Sequence, residues 1–259
     1  DPACVCTGTL AATITIHLAL QGCMTAGSSL MSDGLRSSGL VPVTEPYTAM
    51  GFNHVGSSSG TTTTSNILGQ SGQSAVVDWV FIELRPASAP GSVARTLCGL
   101  LRRSGQVTKA ISNSTSLAVQ VPPGSYFIVV KHRNHLPICS AAPIELTSTT
   151  NSAFIDLSSS ASACYGSGPT VLIGSKWCAW AGDVYGDGSL KYTGANNDRD
   201  PILVAIGGTT PNNTISGYRS EDVNMDGVVK YTGAGNDRDP ILVNVGGTTP
   251  NSVRNAQLP

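Results

Sequence analysis

The sequence predicts a mainly β chain that ends in a small repeated module of loops and short helices. Three observations carry this reading. Val, Ile and Thr are abundant while strong helix formers are sparse, which favours pleated, half-buried segments. Several runs alternate apolar and polar residues with a period of two. The last third of the chain reads twice, with a period of about 39 residues.

The remaining composition sets limits. A length of 259 residues allows one large or two small domains. A hydrophobic share of 40% is enough to build a core, so disorder is not expected. Charged residues make up only 12%, and a formal net charge of -1 with no basic run argues against nucleic acid. Ser, Thr, Gly and Asn take the place of the charges, a surface that suits an extracellular protein packed against copies of itself.

In chain order, residues 9–20 (T-L-A-A-T-I-T-I-H-L-A-L) alternate and are β-branched, so they form a strand. A strand this near the terminus is free to add to a neighbour's sheet edge, which makes residues 11–20 the expected driver of self-association. Residues 22–47 read as a long loop with a turn at Asp33-Gly34, and residues 51–73 as a Gly/Ser/Thr loop. Residues 76–85 (V-V-D-W-V-F-I-E-L-R) are the strongest strand. Asp78 and Glu83 fall on its opposite faces, so they make a poor catalytic pair. Further strands are expected at 93–103, 106–111, 116–121, 125–135 and 144–157. His132 and His135 read as the polar end of one of them. Residues 158–168 are a Ser/Ala/Gly stretch and the best boundary. The expected organisation is a β-sandwich over 1–160, a junction over 161–181, and two repeats over 182–220 and 221–259.

Each repeat opens like a calcium loop, with oxygens at positions 1, 3 and 5, a glycine at 6 and a backbone carbonyl at 7. In the first copy these are Asp183, Tyr185, Asp187, Gly188 and Ser189. In the second they are Asp222, Asn224, Asp226, Gly227 and Val228. Calcium wants six to eight oxygens, and the glycine supplies the sharp turn that a Cβ resists. Position 12 is Gly194 or Gly233, so the usual closing carboxylate is missing. Asp198 and Asp200, or Asp237 and Asp239, are the replacements within reach. Pro201 and Pro240 suit a first helical position, which would make Asp200 and Asp239 caps and leave Asp198 and Asp237 as ligands. Two calcium ions are therefore expected. A short apolar helix follows in each copy, stopped by Gly207-Gly208 and Gly246-Gly247.

These two loop-plus-helix units resemble a dockerin pair. The string K-Y-T-G-x-x-N-D-R-D-P-I-L resembles the C-terminal ends of large secreted surface proteins of Bacteroidota described as haemagglutinin-like. The piece P-P-G-S-Y-F-I-V-V resembles the last hairpin of transthyretin-like and Cna-B-like sandwiches. The resemblance implies a secreted surface or adhesive protein, and the low charge, the long Ser/Thr/Gly loop, the odd cysteine count and the early strand add self-association as a filament or layer. Its alternative is a module that docks a β-sandwich partner or binds glycan. No nucleophile–base–orienter set is evident, so the reading is non-catalytic. No segment is long enough to span a membrane, and a start at Asp1 fits a terminus left by signal removal.

Seven cysteines, at Cys4, Cys6, Cys23, Cys98, Cys139, Cys164 and Cys178, show neither paired metal spacing nor catalytic context. Disulfides in an oxidising compartment are the expectation. Cys164 with Cys178 would staple the junction, Cys23 would pair with Cys4 or Cys6, and an odd count leaves one thiol over.

Overall fold

The alternating run at the N-terminus does not form an edge. β1 (Leu10–His17) lies in the middle of a three-stranded sheet. It pairs antiparallel with β5 (Leu117–Val121) over Leu10 to Ile14 and parallel with β9 (Ser152–Asp156) over Thr13 to His17. Its period-two pattern buries Ala12, Ile14 and Ile16 on one face. This corrects the expectation of a free donor strand, because neighbours on both sides occupy the main-chain groups of β1. The computed structural model describes residues 8–259.

The second sheet carries β2 (Val76–Pro86), β3 (Arg95–Arg102), β4 (Val107–Thr108), β6 (Gly124–His132) and β7 (His135–Cys139), in the order β4-β3-β2-β6-β7. β8 (Ile144–Leu146) pairs with the start of β6. β2 sits at the centre and is buried over nine consecutive residues, which explains why its sequence is largely apolar on both faces rather than alternating, with Asp78 and Glu83 the two buried charges in it. Ile14, Val119 and Ile155 from the first sheet share one buried cluster with Val80, Ile82, Leu100 and Ile128 from the second. The chain is thus mainly β, in several sheets.

The loops between β1 and β2 carry α1 (Gly34–Ser37) and α2 (Ser65–Leu68), and Tyr47 inside them is fully buried, with its hydroxyl donating to Trp79 O at 2.8 Å. Residues 161–181 hold a short 3-10 turn and the hairpin of β10 (Thr170–Ile173) with β11 (Lys176–Ala179). Cys164, Cys178 and Ala179 of this stretch are buried in the same cluster as the two large sheets.

A second buried cluster belongs to the repeats. The first contributes β12 (Ser189–Lys191) and α3 (Arg199–Ala205), then β13 (Thr214–Ser216). The second contributes β14 (Val228–Lys230), α4 (Arg238–Asn244) and β15 (Val253–Asn255). The copies exchange partners: β12 pairs with β15, and β13 with β14. The exchange repeats in detail. Thr193 donates to Asn251 Oδ1 at 2.7 Å and Thr232 to Asn212 Oδ1 at 2.9 Å. Within each copy, Arg199 lies over the Tyr192 ring at 5.2 Å, and Arg238 over Tyr231 at 5.1 Å. Neither repeat closes its own small sheet, and the apolar sides of both copies share one cluster with Leu136 and Ala181.

Among the described residues, Cys23, Cys98, Cys139, Cys164 and Cys178 are free thiols. The expected Cys164–Cys178 staple is not formed. Cys164 Sγ faces Leu157 O at 3.4 Å and Cys178 Sγ faces Lys176 O at 3.5 Å, so each thiol is spent on its own surroundings as a small apolar group. Cys4 and Cys6 lie outside the described residues. No helix among the described residues is long and apolar enough to cross a membrane.

Candidate metal centre

The two loops have matching frames. In the first, Asp183 Oδ2 accepts from Gly188 N at 3.1 Å and Asp187 Oδ1 from Ser189 N at 2.8 Å. In the second, Asp222 Oδ2 accepts from Gly227 N at 2.9 Å and Asp226 Oδ1 from Val228 N at 2.8 Å. Position 6 is left-handed in both, at φ 78° for Gly188 and 89° for Gly227, which is why a glycine stands there. Ser189 and Val228, at position 7, open β12 and β14.

Asp198 and Asp237 reach back into these loops. Asp198 accepts from Tyr185 N at 3.0 Å and Lys191 N at 2.8 Å. Asp237 accepts from Val223 N at 2.7 Å and Lys230 N at 2.8 Å. Both are fully buried. Asp200 and Asp239 are placed differently. Their side chains are about half exposed, and they take Asn197 and Asn236 amides at 2.8 Å and an arginine each. The helix entry also differs from expectation. Pro201 and Pro240 are third, not first, in α3 and α4. Asn197 and Asn236 supply the capping oxygen, accepting from Asp200 N at 3.0 Å and Asp239 N at 2.8 Å.

Position 3 separates the copies. Asn224 Oδ1 accepts from Asp226 N at 2.9 Å and keeps its side chain over the loop, while Tyr185 is 54% exposed.

Burial, with too few positive partners, sets the electrostatics. It pushes Asp183 up to about 7, helped by the Asp198 charge, and Asp237 up to about 7. Asp198 and Asp222 rise to about 6 for the same first reason. Asp183 Oδ1 is buried with no hydrogen-bond partner at all. An orphaned carboxylate oxygen beside other buried carboxylates, with oxygen donors only, fits a hard divalent cation such as calcium. The loop carboxylates nevertheless stand apart. Among the described residues, the only set of three or more His, Cys, Asp or Glu donors gathered within 4.8 Å is Glu45, His54 and Cys98.

The second loop is also the seat on which the repeats meet the large sheets. Asn134 Nδ2 donates to Ser220 O at 3.1 Å and Asp222 O at 2.6 Å, and Arg133 donates to Arg219 O. Asp78 anchors this corner. Its Oδ1 accepts from Tyr218 at 2.7 Å, and its Oδ2 lies 3.0 Å from His132 Nε2 and 3.1 Å from Arg133 Nε. Burial alone would raise the Asp78 carboxyl, but Arg133, His132 and Tyr218 outweigh it and hold it below its usual value. His132 and His135 meet at 3.0 Å, and burial keeps both imidazoles below their ordinary range. The H-R-N-H string is therefore a buried joint, a role that a polar strand end did not reveal. Asp78 and Glu83 do point to separate partners, since Glu83 pairs with Arg85 and Lys131.

Compared with protein-family models, with curated proteins and with solved structures, the chain matches none.

Proposed function

We propose that this chain is a secreted, calcium-stabilised structural or adhesive surface protein, a β-sandwich carrying a dockerin-like pair of loops, that associates with copies of itself. The observation that carries the proposal is the buried, partnerless Asp183 Oδ1 among four carboxylates raised to about 6 or 7. Asp183, Asp187 and Asp198 hold one ion; Asp222, Asn224, Asp226 and Asp237 hold the other. When bound, each ion supplies the positive charge that the buried carboxylates lack. The role is structural because the same carboxylates fix the chain reversals into β12, α3, β14 and α4. Self-association is favoured by large apolar side chains left in solvent: Ile111 is 71% exposed, and Phe154, on the outer strand β9, is 64% exposed.

A second reading, a module that docks a β-sandwich partner or binds glycan, is favoured by one observation. Val204 and Val243 stand at equivalent places on α3 and α4 and are 71% and 67% exposed, so the paired repeats offer a symmetric apolar face.

Calorimetric titration of the chelator-stripped chain should give two calcium ions per chain, and absence of binding would overturn the proposal. Sizing chromatography and negative-stain microscopy then separate the readings. Filaments or layers support self-association, whereas a monomer that captures a distinct partner supports docking.

A further inference from the structure

The Gly/Ser/Thr loop between β1 and β2 folds over the outer face of β2 and β3, and it brings together three residues with no sequence motif between them. Glu45 is 2% exposed and fixed by its surroundings. Its Oε2 accepts from Tyr47 N at 2.7 Å and Thr48 N at 3.1 Å, and its Oε1 from Gly60 N at 2.9 Å. His54 packs edge-on against Phe81 at 5.1 Å. Its Nδ1 lies 2.8 Å from Ser58 Oγ, which in turn lies 2.6 Å from Thr96 Oγ1. That leaves Nε2 facing Glu45 Oε1 at 3.9 Å. Cys98 stands opposite Phe81 in the β2–β3 register and completes the set, with one donor atom from each residue within 4.8 Å of the others.

We propose that Glu45, His54 and Cys98 bind one zinc-class transition-metal ion, at a site distinct from the calcium loops. Sulfur, nitrogen and oxygen donors together suit a borderline-soft ion and not calcium, which takes oxygen alone. The supporting contacts are of the kind metal ligands need: Ser58 fixes the far nitrogen of His54, and backbone amides fix the Glu45 carboxylate. Three protein ligands leave a fourth position, and Cys98 also lines a cavity of about 490 Å3 with Ser59, Thr61, Thr62 and Lys109, which gives an entry path and room for a water. Without a cation, burial and the neighbouring Glu45 carboxylate both raise the Cys98 thiol, so it stays protonated. Binding therefore exchanges the thiol proton for a metal–sulfur bond and releases that proton to buffer. The Thr48 hydroxyl, which now joins Glu45 Oε1 and His54 Nε2, is the competitor that the ion displaces.

The test uses the full chain, chelator-stripped and then held in excess calcium so that the oxygen-only loops are filled. Zinc titration should give one ion per chain with proton release. Cobalt(II) should give a near-ultraviolet thiolate-to-cobalt absorption band. Cys98→Ser should abolish the band, and His54→Ala should weaken zinc binding about tenfold or more. If Cys98→Ser fails to fold, protection of Cys98 from alkylation by zinc in the unaltered chain replaces it as the readout. The proposal is overturned if the unaltered chain gives no cobalt band, if the band survives loss of the Cys98 thiol, if zinc leaves Cys98 alkylation unchanged, or if Cys98 is found in a disulfide.

Discussion

Asp237 and Asp239 are two residues apart and do different work. Asp237 is buried, receives backbone amides from both sides of its loop and is pushed up to about 7 by burial. Asp239 is half exposed, and its hydrogen bond from Asn236, with Arg238 beside it, holds it below the usual carboxylate range. Asp237→Asn should therefore remove calcium binding at the second loop, while Asp239→Asn should leave it within about twofold. The same contrast is expected between Asp198 and Asp200. Titration calorimetry on the four variants decides this, and equal losses would reject Asp237 and Asp198 as ligands. The raised carboxylates also set a pH response. In chelator, their folded pKa values of about 6 to 7 lie above the unfolded Asp value of about 3.9, so the folded state takes up protons first as pH falls. The ion-free chain should gain stability from pH 8 down to about 6.5. Below that, His132 and His135 oppose the gain, because burial keeps them neutral when folded while they protonate when unfolded. With calcium bound the carboxylates must stay ionised, so the extra stability from the ion should shrink over the same window. Melting curves with and without calcium check both signs.

At the scale of elements, legibility followed sequence distance. The two repeat loops, with Asp198 and Asp237 reaching back into them, could be read because their carboxylates recur within a single turn and its following helix. β2 could be read because a strand covered on both faces needs apolar residues on both, and seven of its nine buried residues are apolar. The Glu45, His54 and Cys98 set could not, since it forms only when a loop folds back over β2 and β3. The bond from Tyr218 to Asp78 spans 140 residues and leaves no local trace. β1 was legible as a strand, but not in its place, because alternation reports one buried face and says nothing about who pairs at the edges. Its central place changes what truncation should do. Removing residues 1–20 takes Ile14 and Ile16, both fully buried, out of the core and leaves β5 and β9 without their common neighbour. The truncated chain should lose its cooperative unfolding transition, rather than persist as a soluble unit that no longer assembles. Ile14→Ala, a milder change, should cost about 2–5 kcal/mol. Denaturant melts measure both, and an unshifted midpoint for Ile14→Ala would show that β1 is dispensable to the core.

At the scale of the whole molecule, the two repeat loops are not equivalent, although their frames match. The second is built into the joint. A Cβ at Gly22 would stand 2.2 Å from Val223 O, and one at Gly34 would stand 3.1 Å from Met225 O, so the chain before β2 lies directly on this loop. Asn134 and Arg133 hold its leading edge, and Tyr218 ties it to Asp78 on β2. The first loop is tied to the same segment only at its entry, where Gly182 N donates to Asn134 O at 2.8 Å, and its turn at Asp183 to Gly188 borders an open cleft of about 610 Å3 that Phe52 and Lys131 also line. An ion at about 100 times its dissociation constant adds about 2.7 kcal/mol, a large part of a domain's typical 5–15 kcal/mol. At the first loop that loss should stay within the repeats. At the second it should spread, because a loosened Asp222 carbonyl leaves Asn134 unsatisfied and weakens the Asp78 corner behind it. Asp226→Ala should thus lower the melting temperature of the large sheets as well as that of the repeats, and should speed hydrogen exchange at residues 132–135. Asp187→Ala should leave those amides protected. Hydrogen exchange followed by mass spectrometry reads both variants in one experiment, and equal protection of residues 132–135 in the two would mean that calcium at the second loop is not coupled to the joint.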